Sequence, residues 1–154
     1  MKAIVTGSFD PFTLGHLEIV KYALKKYDTV YVVALNNEEK SYMFTLDERK
    51  KFIELSMPNL ENVIVDSYSG LTADYMKEHG ITHIVRGVRN ENDMKYERLL
   101  AEKMKEFNSD ITTEIIFCQD EFSEVSSTLA REKISKNLSL NGILHKNVID
   151  KIQK

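Results

Sequence analysis

Residues 2–20 read KAIVTGSFDPFTLGHLEIV. A short β-branched run ends at Thr6, and a helical pattern with Leu17, Val20 and Leu24 on one face begins a few residues later. Between them lies a turn holding Gly7, Asp10, Pro11 and Gly15. A strand that hands over to a helix through such a turn leaves backbone N–H groups free at the helix start. Those amides and the helix dipole attract an anion. Ser8 adds a hydroxyl and His16 an imidazole. The turn is not a Walker A loop, because no Gly-Lys-Ser/Thr closes it, and it is not Gly-x-Gly-x-x-Gly. An ordinary capped turn would read the same way, so the choice depends on the rest of the chain. Gly7 is expected to let backbone approach a phosphate, and Gly15 to let the next helix come close.

Four more β-branched runs follow, at 29–35, 62–67, 82–87 and 113–118. Most are continuous rather than alternating, as in parallel strands covered on both faces. Helical patterns alternate with them. Thr45 and Glu48 form a capping box before LDERKKFIELSM, and Gly80 stands where a helix would end. The expected fold is α/β: one Rossmann-like doubly wound parallel sheet of about five strands with flanking helices. A single domain spans 1–154, and the C-terminal helices from about 126 pack on that same domain. In DMKYERLLAEKMKEF, a stripe of Leu99, Leu100, Met104 and Phe107 is expected in the core, with an oligomer interface as the second reading.

With 154 residues the chain can bury a real core. Acidic residues number 24 against 21 basic ones, a net charge of −3, which argues against nucleic acid as a partner. One cysteine, Cys118, permits no internal disulfide, and it reads as buried rather than nucleophilic. No apolar run is long enough for a membrane span and no signal-peptide pattern opens the chain, so a cytoplasmic location is expected.

Ligands of doubly wound sheets sit beyond the carboxyl ends of the strands. Lys40 follows the second run, Arg86 and Arg89 flank Gly87 after the fourth, and Ser126, Ser127, Thr128 and Arg131 follow the fifth. Each alone is most simply a solvated charge or a helix cap. Together with Ser8 and His16 they form a convergent set of cations, hydroxyls and helix ends, which phosphoryl or nucleotidyl transfer requires. His79 and His83 lack the partners for a zinc site.

GSFDPFTLGH resembles the Gly-Ser/Thr-Phe-Asp-Pro-x-Thr-x-Gly-His signature of the nucleotidyltransferase superfamily, and SSTLAR its second signature. KSYMFTLDER, SGLTADY, VRGVRNENDMKYE and VSSTLARE together resemble the bacterial phosphopantetheine adenylyltransferases, over nearly the whole chain. The resemblance implies that ATP and 4′-phosphopantetheine are joined directly into 3′-dephospho-CoA and pyrophosphate, the penultimate step of coenzyme A biosynthesis. It implies catalytic roles for His16, Lys40 and Arg89. It implies that Ser8, Lys40, Thr72 and Arg86 hold phosphopantetheine. ATP would be held by Ser8, Phe9, His16, Gly87, Val88, Arg89 and Glu97, with Phe122, Ser123, Glu124, Val125, Ser126, Ser127 and Thr128. It further implies Mg2+ with the ATP, no protein ligands assigned to the metal, and a homohexamer. Residues 36–42 read NNEEKSY where the family often carries prolines, and Thr72 is more polar than the apolar residue sometimes found there. A cytidylyltransferase for an alcohol phosphate and a non-catalytic nucleotide sensor are the competing readings.

Overall fold

The computed structural model describes residues 1–118 and 120–153. The five β-branched runs form β1 (Lys2–Gly7), β2 (Thr29–Asn36), β3 (Val63–Ser69), β4 (His83–Val88) and β5 (Thr112–Phe117). The helices are α1 (Leu14–Lys26), α2 (Leu46–Leu55), α3 (Thr72–His79), α4 (Glu91–Phe107), α5 (Ser127–Ser135) and α6 (Lys146–Ile152). All strands are parallel, in the order β3-β2-β1-β4-β5. The chain therefore starts at the centre, winds to one edge, and returns to lay β4 on the other side of β1. Connections leave in opposite directions from β1 and β4, and a crevice opens beyond their carboxyl ends.

Alternate residues of the central strands feed two cores. Ala3, Val5, Val30, Val32 and Val85 face Leu17, Val20 and Ala23 of α1 and Ile53 of α2. Ile4, Tyr31, Val33 and Ile84 face Tyr75 and Met76 of α3. A third cluster joins Phe52 of α2 to Ala130, Leu140, Ile143, Leu144 and Val148, so the C-terminal helices lie against α2. Local signals end the helices. Thr45 and Glu48 complete their capping box, and Gly80 closes α3 at φ 67°. Among the described residues no helix is long and apolar enough to cross a membrane.

Two expectations need correction. The inward row of α4 is Met94, Glu97, Ala101 and Met104, at three- and four-residue spacing, and not the stripe containing Leu99 and Phe107. Leu99 is 59% exposed and Phe107 61% exposed, while Met104 packs against the core cluster of α3. Of the expected stripe, Met104 turns inward and Leu100 is half-buried, whereas Leu99 and Phe107 point away from the sheet. Gly15 is also not the glycine that permits close packing. A Cβ there would meet Thr13 and Val125 at 3.5 Å, an ordinary contact. At Gly87 a Cβ would stand 2.3 Å from Ile19 Cδ1, so this glycine is what lets α1 approach β4. A Cβ at Gly7 would stand 2.9 Å from the Phe9 ring, which folds back over it as Phe9 takes φ 49°.

Candidate active site

His16 lies in the first turn of α1, where it completes a capping box with Thr13. The Thr13 hydroxyl accepts from the His16 backbone N–H at 3.3 Å. In return the Thr13 backbone N–H donates to His16 Nδ1 at 3.0 Å. An Nδ1 that accepts must be unprotonated, so the proton of the neutral ring sits on Nε2. Burial first, and then repulsion from Arg86 and Arg89, together lower the pKa of this imidazole from 6.5 to about 4. At neutral pH His16 is therefore an uncharged hydrogen-bond donor at Nε2. The rings of Phe9 and Phe12 flank it at 4.9 and 5.4 Å between centroids.

The loop before His16 is held from several sides. The Asp10 carboxylate accepts the N–H groups of Met43 and Phe44, each at 2.9 Å. Arg49 donates to the Ser8 carbonyl at 2.8 Å. Arg131 donates to the Asp10 carbonyl at 2.8 Å, and the Ser127 hydroxyl to the Pro11 carbonyl at 2.8 Å. Ser126 caps α5 by accepting from Leu129 N–H at 3.0 Å, and Thr128 accepts from Arg131 at 3.2 Å. The second signature thus braces the first.

At the end of β4, Arg86 and Glu97 form a two-pronged ion pair, Nε to Oε2 at 2.9 Å and NH2 to Oε1 at 2.8 Å. Arg86 also donates to the Thr6 carbonyl at 2.6 Å. The carboxylate of Glu97 is buried, and this fork balances its charge. Arg89 reaches Asp93 one turn into α4 at 3.5 Å. Lys40 is exposed and enters no ion pair among the described residues.

Two adjoining clefts share Tyr96 and Glu97. The larger, about 810 Å³, is lined by Ser8, Lys40, Thr72 and Arg86, and by apolar Leu71, Leu100 and Met104. The start of α3 opens into it without a side-chain cap. The smaller, about 360 Å³, is lined by His16, Gly87, Arg89, Val125, Ser126, Ser127 and Thr128. The other residues named from the sequence do not line either cleft. The Phe9 and Val88 side chains are buried, and Phe122, Ser123, Glu124 and Arg131 lie outside the lining. Cys118 is half-buried on the wall of the smaller cleft, and burial raises its thiol pKa.

The sequence profile of the cytidylyltransferase-like family matches residues 4–133. A phosphopantetheine adenylyltransferase of Thermotoga neapolitana is 41% identical over 132 residues, covering 86% of this chain and 82% of that protein. The chain belongs to this adenylyltransferase family.

In this adenylyltransferase a neutral donor, Arg89 and the start of α5 face one cleft, while Lys40, Arg86 and the start of α3 face the next. The arrangement suits two anionic groups brought end to end, with a fixed donor where charge develops. Arg49, which ties the loops beside the site together, is the residue that sequence reasoning missed. It is 1% exposed, and its inward direction was readable: Arg49, Phe52 and Ile53 share one face of α2 at three- and four-residue spacing.

Proposed function

We infer that this enzyme transfers the adenylyl group of ATP to 4′-phosphopantetheine, releasing pyrophosphate and giving 3′-dephospho-CoA. The observation that carries this reading is the pair of adjoining clefts, one with His16 on its wall and the other with Lys40. ATP takes the smaller cleft, with its phosphates toward His16, Arg89 and the start of α5. Phosphopantetheine takes the larger, its phosphate toward Lys40 and its arm along Leu71, Leu100 and Met104. A phosphate oxygen of phosphopantetheine attacks the α-phosphorus as the bond to the β-phosphate bridging oxygen breaks, and pyrophosphate leaves with that oxygen. The nucleophile is already an anion, so no general base is needed. The His16 Nε2–H donates to the α-phosphate oxygens, where charge grows, and a donor of this kind is worth about 3–4 kcal/mol. Lys40 and Arg86 reduce repulsion between the two substrates and aim the attacking oxygen.

Glu97 and Asp93 are occupied by Arg86 and Arg89, and Asp10 by two backbone amides. No group of three potential metal ligands exists among the described residues. Magnesium enters this reading as part of the ATP substrate, held by its phosphates and water. A homohexamer in the cytoplasm completes the proposal. The exposed Tyr96, Leu99 and Phe107 of α4 support a subunit contact. The test is incubation with ATP, magnesium and phosphopantetheine, reading pyrophosphate. CTP in place of ATP, or pantetheine without its phosphate, should release little. Equal release with CTP, or equal binding of unphosphorylated pantetheine, would overturn the substrate assignment.

A further inference from the structure

Lys40 stands on an arch, residues 37–42, whose two feet are both fastened by the buried Arg49, with the buried Asp10 holding the outgoing foot as well. At the incoming foot Arg49 donates to the Leu35 carbonyl at 2.9 Å and to Asn36 Oδ1 at 2.9 Å. At the outgoing foot it donates through Nε to the Phe44 carbonyl at 3.2 Å, beside the two amides that Asp10 accepts. The NH1 group that holds Leu35 also holds the Ser8 carbonyl. The arch itself is braced onto this point. Lys40 N–H donates to the Asn37 carbonyl at 2.9 Å, and Glu39 N–H to Asn37 Oδ1 at 3.0 Å. Asn37 N–H donates to the Tyr42 hydroxyl at 2.9 Å, and the Tyr42 ring lies 3.9 Å over the Arg49 guanidinium.

The chemistry of Arg49 is unusual for a residue that only packs. Its guanidinium is bound by carbonyls and an amide and takes part in no ion pair among the described residues. Burial pulls its pKa down, and Tyr42 and then Asp10 offset this only in part. A buried charge without a paired carboxylate is a poor source of stability, and an apolar side chain of that volume would pack at lower cost. Its planar fork does what such a side chain could not, since it sets the spacing of three chain segments at once.

We propose that Arg49 and Asp10 are positioning residues for the transfer step, bolting the Lys40 arch to the Ser8–His16 loop so that the ammonium reaches the reacting phosphates. This rests on the reading of Lys40 as the cation of the adenylyl transfer. An ammonium at position 49 cannot span four acceptors, so Arg49→Lys loosens the arch, while the Thr13 cap on His16, the Ser126 cap on α5 and the lining of the ATP cleft rest on contacts that Arg49 does not make. A misplacement of about 1 Å costs up to about 100-fold in rate. Arg49→Lys is therefore expected to lower kcat about 10- to 100-fold, with KM for ATP changed less than about threefold.

The test is a double-mutant cycle with Lys40→Ala, with thermal unfolding followed on each purified variant. Once the lysine is gone its aim no longer matters, so adding Arg49→Lys to Lys40→Ala should cost less than about threefold further. If Arg49→Lys fails to fold, Tyr42→Leu takes its place in the cycle. That change removes the ring over the guanidinium and the bond to Asn37 from a half-buried site, and its kcat loss should also vanish in the Lys40→Ala background. Equal fold-losses in both backgrounds overturn the proposal, because the clamp would then act on stability or elsewhere. A wild type that releases no pyrophosphate from ATP and phosphopantetheine removes the functional reading, and this proposal with it. Additive losses in an active enzyme remove this proposal alone.

Discussion

Titration of His16 offers the sharpest quantitative test of the site. Its pKa falls from 6.5 to about 4 on folding, first through burial and then through Arg86 and Arg89. The unfolded chain therefore binds a proton at a higher pH than the folded one, and stability must fall as pH drops through this window. Well above 6.5, at about pH 8, both states are neutral and the site costs nothing. Between about pH 8 and about pH 5 the unfolded ring takes up nearly a full proton and the folded ring about a tenth, which removes about 2 kcal/mol. By pH 4 the loss approaches about 3 kcal/mol. The assay is denaturant unfolding of wild type and His16→Gln at both ends of the window. Glutamine at this position can still accept the Thr13 N–H and so keeps the cap without the titration. Subtracting the two curves cancels the carboxylates common to both. The wild type should lose about 2 kcal/mol more than the variant by about pH 5. Proton NMR should show the imidazole still neutral there, and kcat should not follow a group near 6.5. A difference under about 0.5 kcal/mol, or an imidazole titrating at its ordinary value, would refute the claim that the fold holds His16 neutral.

Other outcomes follow from named contacts. His16→Ala should cut turnover by about 100-fold or more with ATP binding nearly intact, and loss of binding without loss of turnover at saturation would reverse its assigned role. Arg86→Ala should weaken phosphopantetheine binding, and should also destabilise the protein by leaving the buried Glu97 without its fork; denaturation beside substrate titration separates the two effects. Arg131→Ala should lower unfolding free energy by about 1–3 kcal/mol, because its guanidinium holds the Asp10 carbonyl. A tenfold rise in the ATP requirement with unchanged stability would instead assign it to ATP. Gly87→Ala should cost about 1–3 kcal/mol, since the added carbon meets Ile19 at 2.3 Å, and an unchanged melting curve would show that α1 yields freely.

The parts legible in the sequence are those set within a few residues. The five β-branched runs became the five strands, because continuous apolar runs must be covered on both faces. The Thr45–Glu48 box and the Gly80 terminus followed from local hydrogen bonding and glycine's tolerance of positive φ. The signatures around Ser8 and Ser126 also pointed to one mouth, because parallel strands deliver their carboxyl ends together. What the sequence left open depends on groups far apart in the chain. Arg49 meets Ser8 across 41 positions, and Arg86 meets Thr6 across 80. Those pairings exist only once β1 lies between β2 and β4. The same ordering decided that Gly87, not Gly15, admits α1, and that Glu97 turns to Arg86 while Leu99 faces outward. The charge state of His16 is likewise a property of the assembled site. Thr13, three residues before it, sets the tautomer, but the low pKa needs the burial and the arginines that only the folded sheet brings to it.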